Sequence, residues 1–161
     1  MLKKKYKWLP LVAILLVSGL IVADTSSAQD ALWNQITNHM SYLGYRCVPK
    51  DDGKRLYCAT DKHYPNFSLK RQSNGMLIVS YWTGSEYAKQ NRAAFLNLVN
   101  SFNLLAVATR FYIDRDSDLA LEVWIPGEYE KSSFTNAVEN FNRDWDRVQS
   151  KFGEAILKYI R

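Results

Sequence analysis

The sequence predicts an α+β domain: an antiparallel sheet of five to six strands, with helices packed largely on one of its faces. Three patterns predict it. Val107, Thr109, Phe111 and Ile113, then Leu119, Leu121, Val123 and Ile125, alternate apolar or β-branched residues at the two-residue period of a half-buried strand. Two further pairs of short strand-like runs lie upstream, each split by turn residues around Gly53 and Gly75. Helical spacing governs the remaining apolar stretches, before, between and after these hairpins. The predicted order is helix, three or four strands, helix, two strands and a long C-terminal helix.

Residues 1–28 have the three-part layout of a secretory signal peptide. Lys3, Lys4, Lys5 and Lys7 precede the apolar run Leu9 to Ala23, and Ser26-Ser27-Ala28 offers small residues for cleavage after Ala28. The run spans 15 residues and includes Pro10, Ser18 and Gly19, short of the about 20 that a membrane span needs. An uncleaved N-terminal anchor is the competing reading, and it is the only membrane contact expected. The expected location is the periplasm or the extracellular space, with residues 29–161 as a single domain. Loss of four lysines and Asp24 lowers the net charge from +5 to +2, so basicity belongs mostly to the leader and no nucleic-acid partner is implied.

In the domain, Asp30 is placed to cap a helix reaching Tyr42, with Trp33, Ile36, Met40 and Leu43 on one stripe and Gly44 ending it. His39 borders the stripe, where packing is its expected role. A hairpin with loop residues Asp51 to Lys54 sets Cys47 opposite Cys58. An oxidising compartment would join them in a cross-strand disulfide, contributing about 2–3 kcal/mol in the loop-entropy account. After a loop holding His63 and Pro65, a three-residue turn Ser73-Asn74-Gly75 would set Leu69 against Val79 and Phe67 against Tyr81.

Thr83-Gly84-Ser85 breaks the strand and supplies the cap of a helix with Tyr87, Ala94, Phe95, Leu98, Val99 and Phe102 on its stripe, and Asn103, which tolerates the left-handed conformation, is its expected C-terminal cap. The central hairpin turns about Asp116, which puts Ile113 opposite Leu119, Phe111 opposite Leu121 and Arg110 opposite Glu122. Core meets core, and opposite charges meet on the other face. Ser132 or Ser133 is the expected cap of the last helix, whose apolar stripe from Phe134 to Ile160 would extend about 40 Å. That length covers a sheet, or leaves an overhang for a second copy.

The element order, with the run Phe95-Leu-Asn-Leu-Val-Asn-Ser-Phe-Asn103 leading into Phe111-Tyr-Ile-Asp114 and Leu119-Ala-Leu-Glu122, resembles the YbjN family. That resemblance implies a fold like that of type III secretion chaperones, a sensory-transduction or regulatory role, and binding of a protein or peptide, often as a homodimer. The leader and the cysteine pair depart from a cytoplasmic role of that kind.

Catalytic patterns are scarce. The chain has 2 histidines, no Gly-x-Ser-x-Gly elbow, no phosphate-binding glycine loop and no His-Glu-x-x-His helix. Asp144 and Asp146 flank Trp145, expected on the solvated sides of a helix. Asp114, Asp116 and Asp118 have the alternate spacing of a calcium loop, but Leu119 and Ile125 stand where its glycine and glutamate belong. The sequence therefore predicts neither catalytic residues, nor a metal, nor a cofactor. The expected site is a binding surface, Arg110, Tyr112, Glu122 and Trp124, on the face of the central hairpin opposite the core. Two alternatives stay open: a helix covering this face, and a small-ligand carrier or enzyme of the cell envelope with an aromatic-lined pocket.

Overall fold

The computed structural model describes residues 25–72 and 74–161; residues 1–24 of the leader lie outside them. The elements run α1 (Thr25–Tyr42), β1 (Arg46–Lys50), β2 (Arg55–Ala59), β3 (Phe67–Gln72), β4 (Gly75–Trp82), α2 (Glu86–Gln90), α3 (Arg92–Asn103), β5 (Arg110–Ile113), β6 (Leu119–Pro126) and α4 (Lys131–Ile156). The six strands form one antiparallel sheet in the order β1-β2-β3-β4-β6-β5. One sheet face and the apolar stripes of α1, α3 and α4 make the core, where Phe67 meets Phe141 edge-on at 5.7 Å and Trp82 stacks on Trp145 at 4.3 Å. Phe111 and Leu121 are both buried in it, 3% and 0% exposed.

The two upstream hairpins of the prediction have different outcomes. Cys47 faces Cys58 and the two are joined, with the Sγ atoms 2.01 Å apart. The turn Asp51 to Lys54 carries three positive φ angles, at Asp51, Asp52 and Gly53, and α1 grips it: Trp33 Nε1 and Gln29 Nε2 both donate to the Gly53 carbonyl, at 2.6 and 2.9 Å. Between β3 and β4 the register is one residue away from the expected one. Gln72 faces Gly75 across a two-residue connection, so Leu69 faces Ile78 and Ser68 faces Val79. A one-residue slip reverses the faces of a strand, and Leu77, Val79 and Tyr81 therefore leave the core side to Met76, Ile78 and Trp82. Gly75 belongs to the strand because a Cβ there would stand 2.3 Å from the Ile125 carbonyl oxygen.

Several helix ends also differ from expectation. α1 already includes Thr25, the first residue described, so Asp30 lies inside the helix, exposed, rather than capping it; Thr25 to Gln29 contains no glycine or proline to stop it. Gly44, with φ +88°, ends it as expected, and the Tyr45 N–H reaches the Met40 carbonyl at 2.9 Å. Ser85 does cap α2, accepting from the Ala88 N–H at 3.1 Å. The expected single helix breaks at Asn91, whose backbone leaves helical geometry (φ −118°, ψ 38°) while its side chain donates to the Tyr87 carbonyl. The break rotates α2 relative to the α3 stripe, so Ala88 is buried, whereas Tyr87 is 47% exposed and Ala94 is exposed.

Glu130, not a serine, caps α4. Its carboxylate accepts from the backbone of Ser132 and Ser133 and from the Ser132 hydroxyl, and these bonds hold its pKa down at about 2. The chain beyond α4 turns back: Tyr159 stacks on Phe95 at 4.5 Å and Ile160 bridges to Gly84. The end of the stripe is thus covered within the same molecule.

The largest correction concerns the segment before β5. The strand begins at Arg110 rather than Val107, and Val107 is 75% exposed. Asp144, expected on the solvated side of its helix, is 0% exposed. One of its carboxylate oxygens accepts from the N–H groups of Val107, Ala108 and Thr109 and from the Thr109 hydroxyl, all within 3.1 Å, while Arg147 binds the other. Three consecutive amides are drawn toward α4 and so cannot continue the sheet.

Asn103 likewise has another task than the one expected. Leu104, in right-handed geometry, follows α3 as its cap (φ −71°, ψ −20°). The Asn103 amide instead accepts from the Phe111 N–H at 2.8 Å and donates to the Phe111 carbonyl at 2.9 Å. It thereby closes the outer edge of β5. Asn103→Ala would leave both groups open, and we expect a loss of about 1–2 kcal/mol, read from urea unfolding, with self-association through the bared edge visible in sedimentation.

Candidate functional site on the open sheet face

Among the described residues the helices all serve one side of the sheet, and no helix lies on the other, where the flanking side chains bury Val79 and Ala120 but leave the rest in contact with solvent. Alternation along the strands puts Arg110 and Tyr112 of β5, Ala120, Glu122 and Trp124 of β6, and Leu77, Val79 and Tyr81 of β4 on this open side. Ser68 and Lys70 of β3, Tyr57 of β2 and Val48 of β1 continue it. The four expected residues are therefore together, on a surface that no helix covers among the described residues.

Their side chains are locked to each other. Glu122 is 7% exposed although it lies on the solvent side. Its carboxylate is occupied from two directions: Arg110 forms an ion pair with one oxygen, and the Tyr112 hydroxyl donates to the other at 3.0 Å. The Tyr81 hydroxyl lies 3.3 Å from that of Tyr112, and the Arg110 guanidinium stands 5.7 Å from the Tyr112 ring centre. This chain of contacts ties β4, β6 and β5 together. Burial first, then the hydrogen bonds to Tyr81 and Glu122, push the Tyr112 phenol well above its ordinary value, so it remains a neutral donor.

Trp124 lies down over Gly75: a Cβ added at Gly75 would come within 2.6 Å of the indole. The missing side chain makes room for the benzo edge of the ring against β4, and the indole stays 38% exposed. Tyr81 (53%), Val48 (48%) and Tyr57 (36%) extend the apolar surface outward. Lys50 and Lys70 point from the same face, while Arg55 is held by Asp51 and by the Ser68 hydroxyl at 3.0 Å.

The geometry suits recognition. No nucleophile lies next to a base here, and the one carboxylate is fully engaged as an acceptor. His39 is a packed residue, bonded to the hydroxyls of Tyr129 at 2.7 Å and Thr135 at 2.9 Å, and burial lowers its pKa. Asp114 takes the N–H groups of Asp116 and Asp118, and Asp118 takes that of Gly84; both carboxylates are used to build the turn.

The register brings Arg110, Tyr112, Glu122 and Trp124 onto one face and sets Leu77, Tyr57 and Tyr81, which are outside the expected set, beside them. Tyr81 was assigned to the opposite side by the slipped register. The signal that would have recovered it is Gly75: as the second strand's first residue rather than the turn's last, it restores the observed pairing.

No protein-family model matches this sequence, and no curated protein resembles it closely enough to be a relative. Solved structures do match. The chain is similar to YbjN of E. coli, a candidate transcription regulator, with a TM-score of 0.62 at 9% identity over 80% of this chain and 95% of that one. The heterodimeric ExoU–SpcU complex of the Pseudomonas aeruginosa type III secretion system aligns over 70% of this chain and 93% of that one, with a TM-score of 0.48 and 16% identity. The chain thus has a YbjN-like fold.

Proposed function

We propose that this is a non-catalytic domain of the cell envelope, exported to the periplasm or beyond, that binds a protein or peptide through the open face of its sheet. The observation that carries the reading is the face itself: Trp124, Tyr81, Tyr57 and Val48 lie exposed around a pre-formed Arg110–Glu122–Tyr112 centre, on a sheet whose other side packs against the helices. Rigid aromatics beside an arginine are the composition of energetic centres in protein interfaces. Hydrogen bonds already made within the site lower the ordering cost of association. The depressions on this face are open to solvent, which favours a macromolecular surface over an enclosed small ligand. The YbjN-like fold is in keeping with a binding or regulatory role. Support for export comes from the leader-like residues 1–28 and from the Cys47–Cys58 pair.

The test is crosslinking in cells with the full chain, comparing wild type with the double variant Y81A/W124A. Both side chains are exposed enough that their loss spares the core, which unfolding curves would verify. Crosslinked partners should fall at least about tenfold, the loss expected when two interface aromatics are truncated. Undiminished crosslinking of a folded variant would remove this face from consideration.

A further inference from the structure

Both edge strands of the sheet are blunted. On β5 the outward N–H and carbonyl of Phe111 are taken by Asn103, and on β1 Pro49 has no N–H to offer. A third stretch of edge is blunted only at its far end, where Pro126 has no N–H, and it leaves Trp124 open. β4 pairs with β6 from Leu119 to Pro126, whereas β5 pairs with it only from Leu119 to Glu122. Because Phe111 turns its amide away from β6, Arg110 and Glu122 are the pair that exchanges backbone hydrogen bonds. Alternation then turns the N–H and carbonyl of Trp124 to the same side as those of Glu122. Continued register would place Ala108 opposite, but the Ala108 N–H is held by Asp144 at 2.9 Å. The Trp124 backbone has no hydrogen bond on that side among the described residues. The space left by the diverted chain is an open depression lined by Gln72, Leu77, Thr109, Arg110, Glu122 and Trp124.

We propose that residues 123–126 receive an extended peptide, which adds as a short strand in line with β5. The proposal rests on the reading of this face as a binding surface and names the chemistry of its partner. An N–H and a carbonyl from one strand residue, both facing outward, are complementary to another backbone in extended conformation. The peptide residue seated opposite Trp124 would turn its side chain to the open face, between the indole and Arg110. The Arg110 side chain is 74% exposed beyond its pairing with Glu122, so its remaining donors favour a carboxylate there. The partner is therefore an extended segment with an acidic residue at that position.

A phage-displayed random-peptide library selected on the folded protein supplies the probe, and each selected peptide is remade with single N-methylated amides. Within a short stretch, methylation of every second amide should weaken binding about tenfold, the loss of the backbone bond it carries. Ala108→Trp, which fills the depression from an exposed position, should abolish binding, and aspartate or glutamate should recur at one position. Peptides indifferent to N-methylation, or bound equally by folded A108W while lost with Y81A/W124A, would overturn strand addition and leave the broader reading of the face standing. Failure to select any peptide would overturn both. A wild-type dimer in sedimentation that A108W dissolves would put a second copy of the chain in the gap and equally overturn the peptide.

Discussion

Asp144→Ala should cost about 3 kcal/mol of stability, more than any other polar substitution considered, because it removes the buried carboxylate that three consecutive backbone donors share. Val107, Ala108 and Thr109 give their N–H groups to this carboxylate, Thr109 adds its hydroxyl, and Arg147 supplies the countercharge. Burial by itself pushes the Asp144 carboxyl upward, but the bonds from Ala108, Val107 and Thr109 together outweigh it and hold the pKa below the ordinary carboxylate value. A carboxylate depressed in the folded state contributes stability that is present above its unfolded pKa, near 4, and is lost as pH falls through the folded value. The gap between wild type and D144A in urea unfolding should therefore be full at neutral pH and narrow in acid below pH about 4. A gap that stayed constant across that range would show that the carboxylate's charge is not what holds the segment. D144N should fall between the two, since one amide oxygen accepts while its NH2 meets donors.

The same substitution has a second reading at the sheet. With its amides released, the segment before Arg110 regains the choice of continuing β5, and Ala108 is the residue that register would set against Trp124. Hydrogen exchange of the Trp124 amide should slow if the strand extends into the gap, and peptide binding should fall with it. On the proposed reading of this edge, stability and recognition are coupled through one carboxylate. Asp144 holds the fold together and, by holding the chain away from β6, keeps an edge open.

The fold class, the β1–β2 register and the β5–β6 register were legible in the chain; the tasks of Asp144 and Asn103 and the β3–β4 register were not, and the reason differs by element. The β5–β6 register could be read because both faces agree on it: Ile113 with Leu119 inside, Arg110 with Glu122 outside. β4 offers no such contrast. Met76 and Ile78 face the core while Leu77 and Val79 face away, all four apolar, so alternation could not select a face and the register slipped by one. Asp144 did leave a trace: it stands three residues after Phe141 and four before Val148, on the buried stripe of α4. Spacing shows that such a carboxylate needs partners, but its partners are backbone amides, which every residue carries and no side-chain pattern marks. Asn103 was misread for the same reason. Whether a helix covers a sheet face depends on how elements close in space, and alternation along a strand is silent on that.

Removing the Cys47–Cys58 bond by the double variant C47A/C58A should cost about 3 kcal/mol, the loop-entropy value for a closed loop of this length. The bond spans 11 residues of sequence and joins an edge strand to its only neighbour. β1 is poorly held otherwise: Val48, Pro49 and Lys50 are all exposed, and its inward contacts are to α1. Cys58 is fully buried among core residues, so alanine rather than serine avoids leaving a hydroxyl unpaired there. Melting should fall by several degrees, and hydrogen exchange should quicken first in β1 and in the turn that Trp33 and Gln29 hold, while β4 and β6 keep their protection. Uniform quickening across the sheet would mean that the bond secures the whole domain rather than its edge. Peptide binding at Trp124 should survive in the variant, because that gap lies across the sheet from the disulfide, beyond β2, β3 and β4.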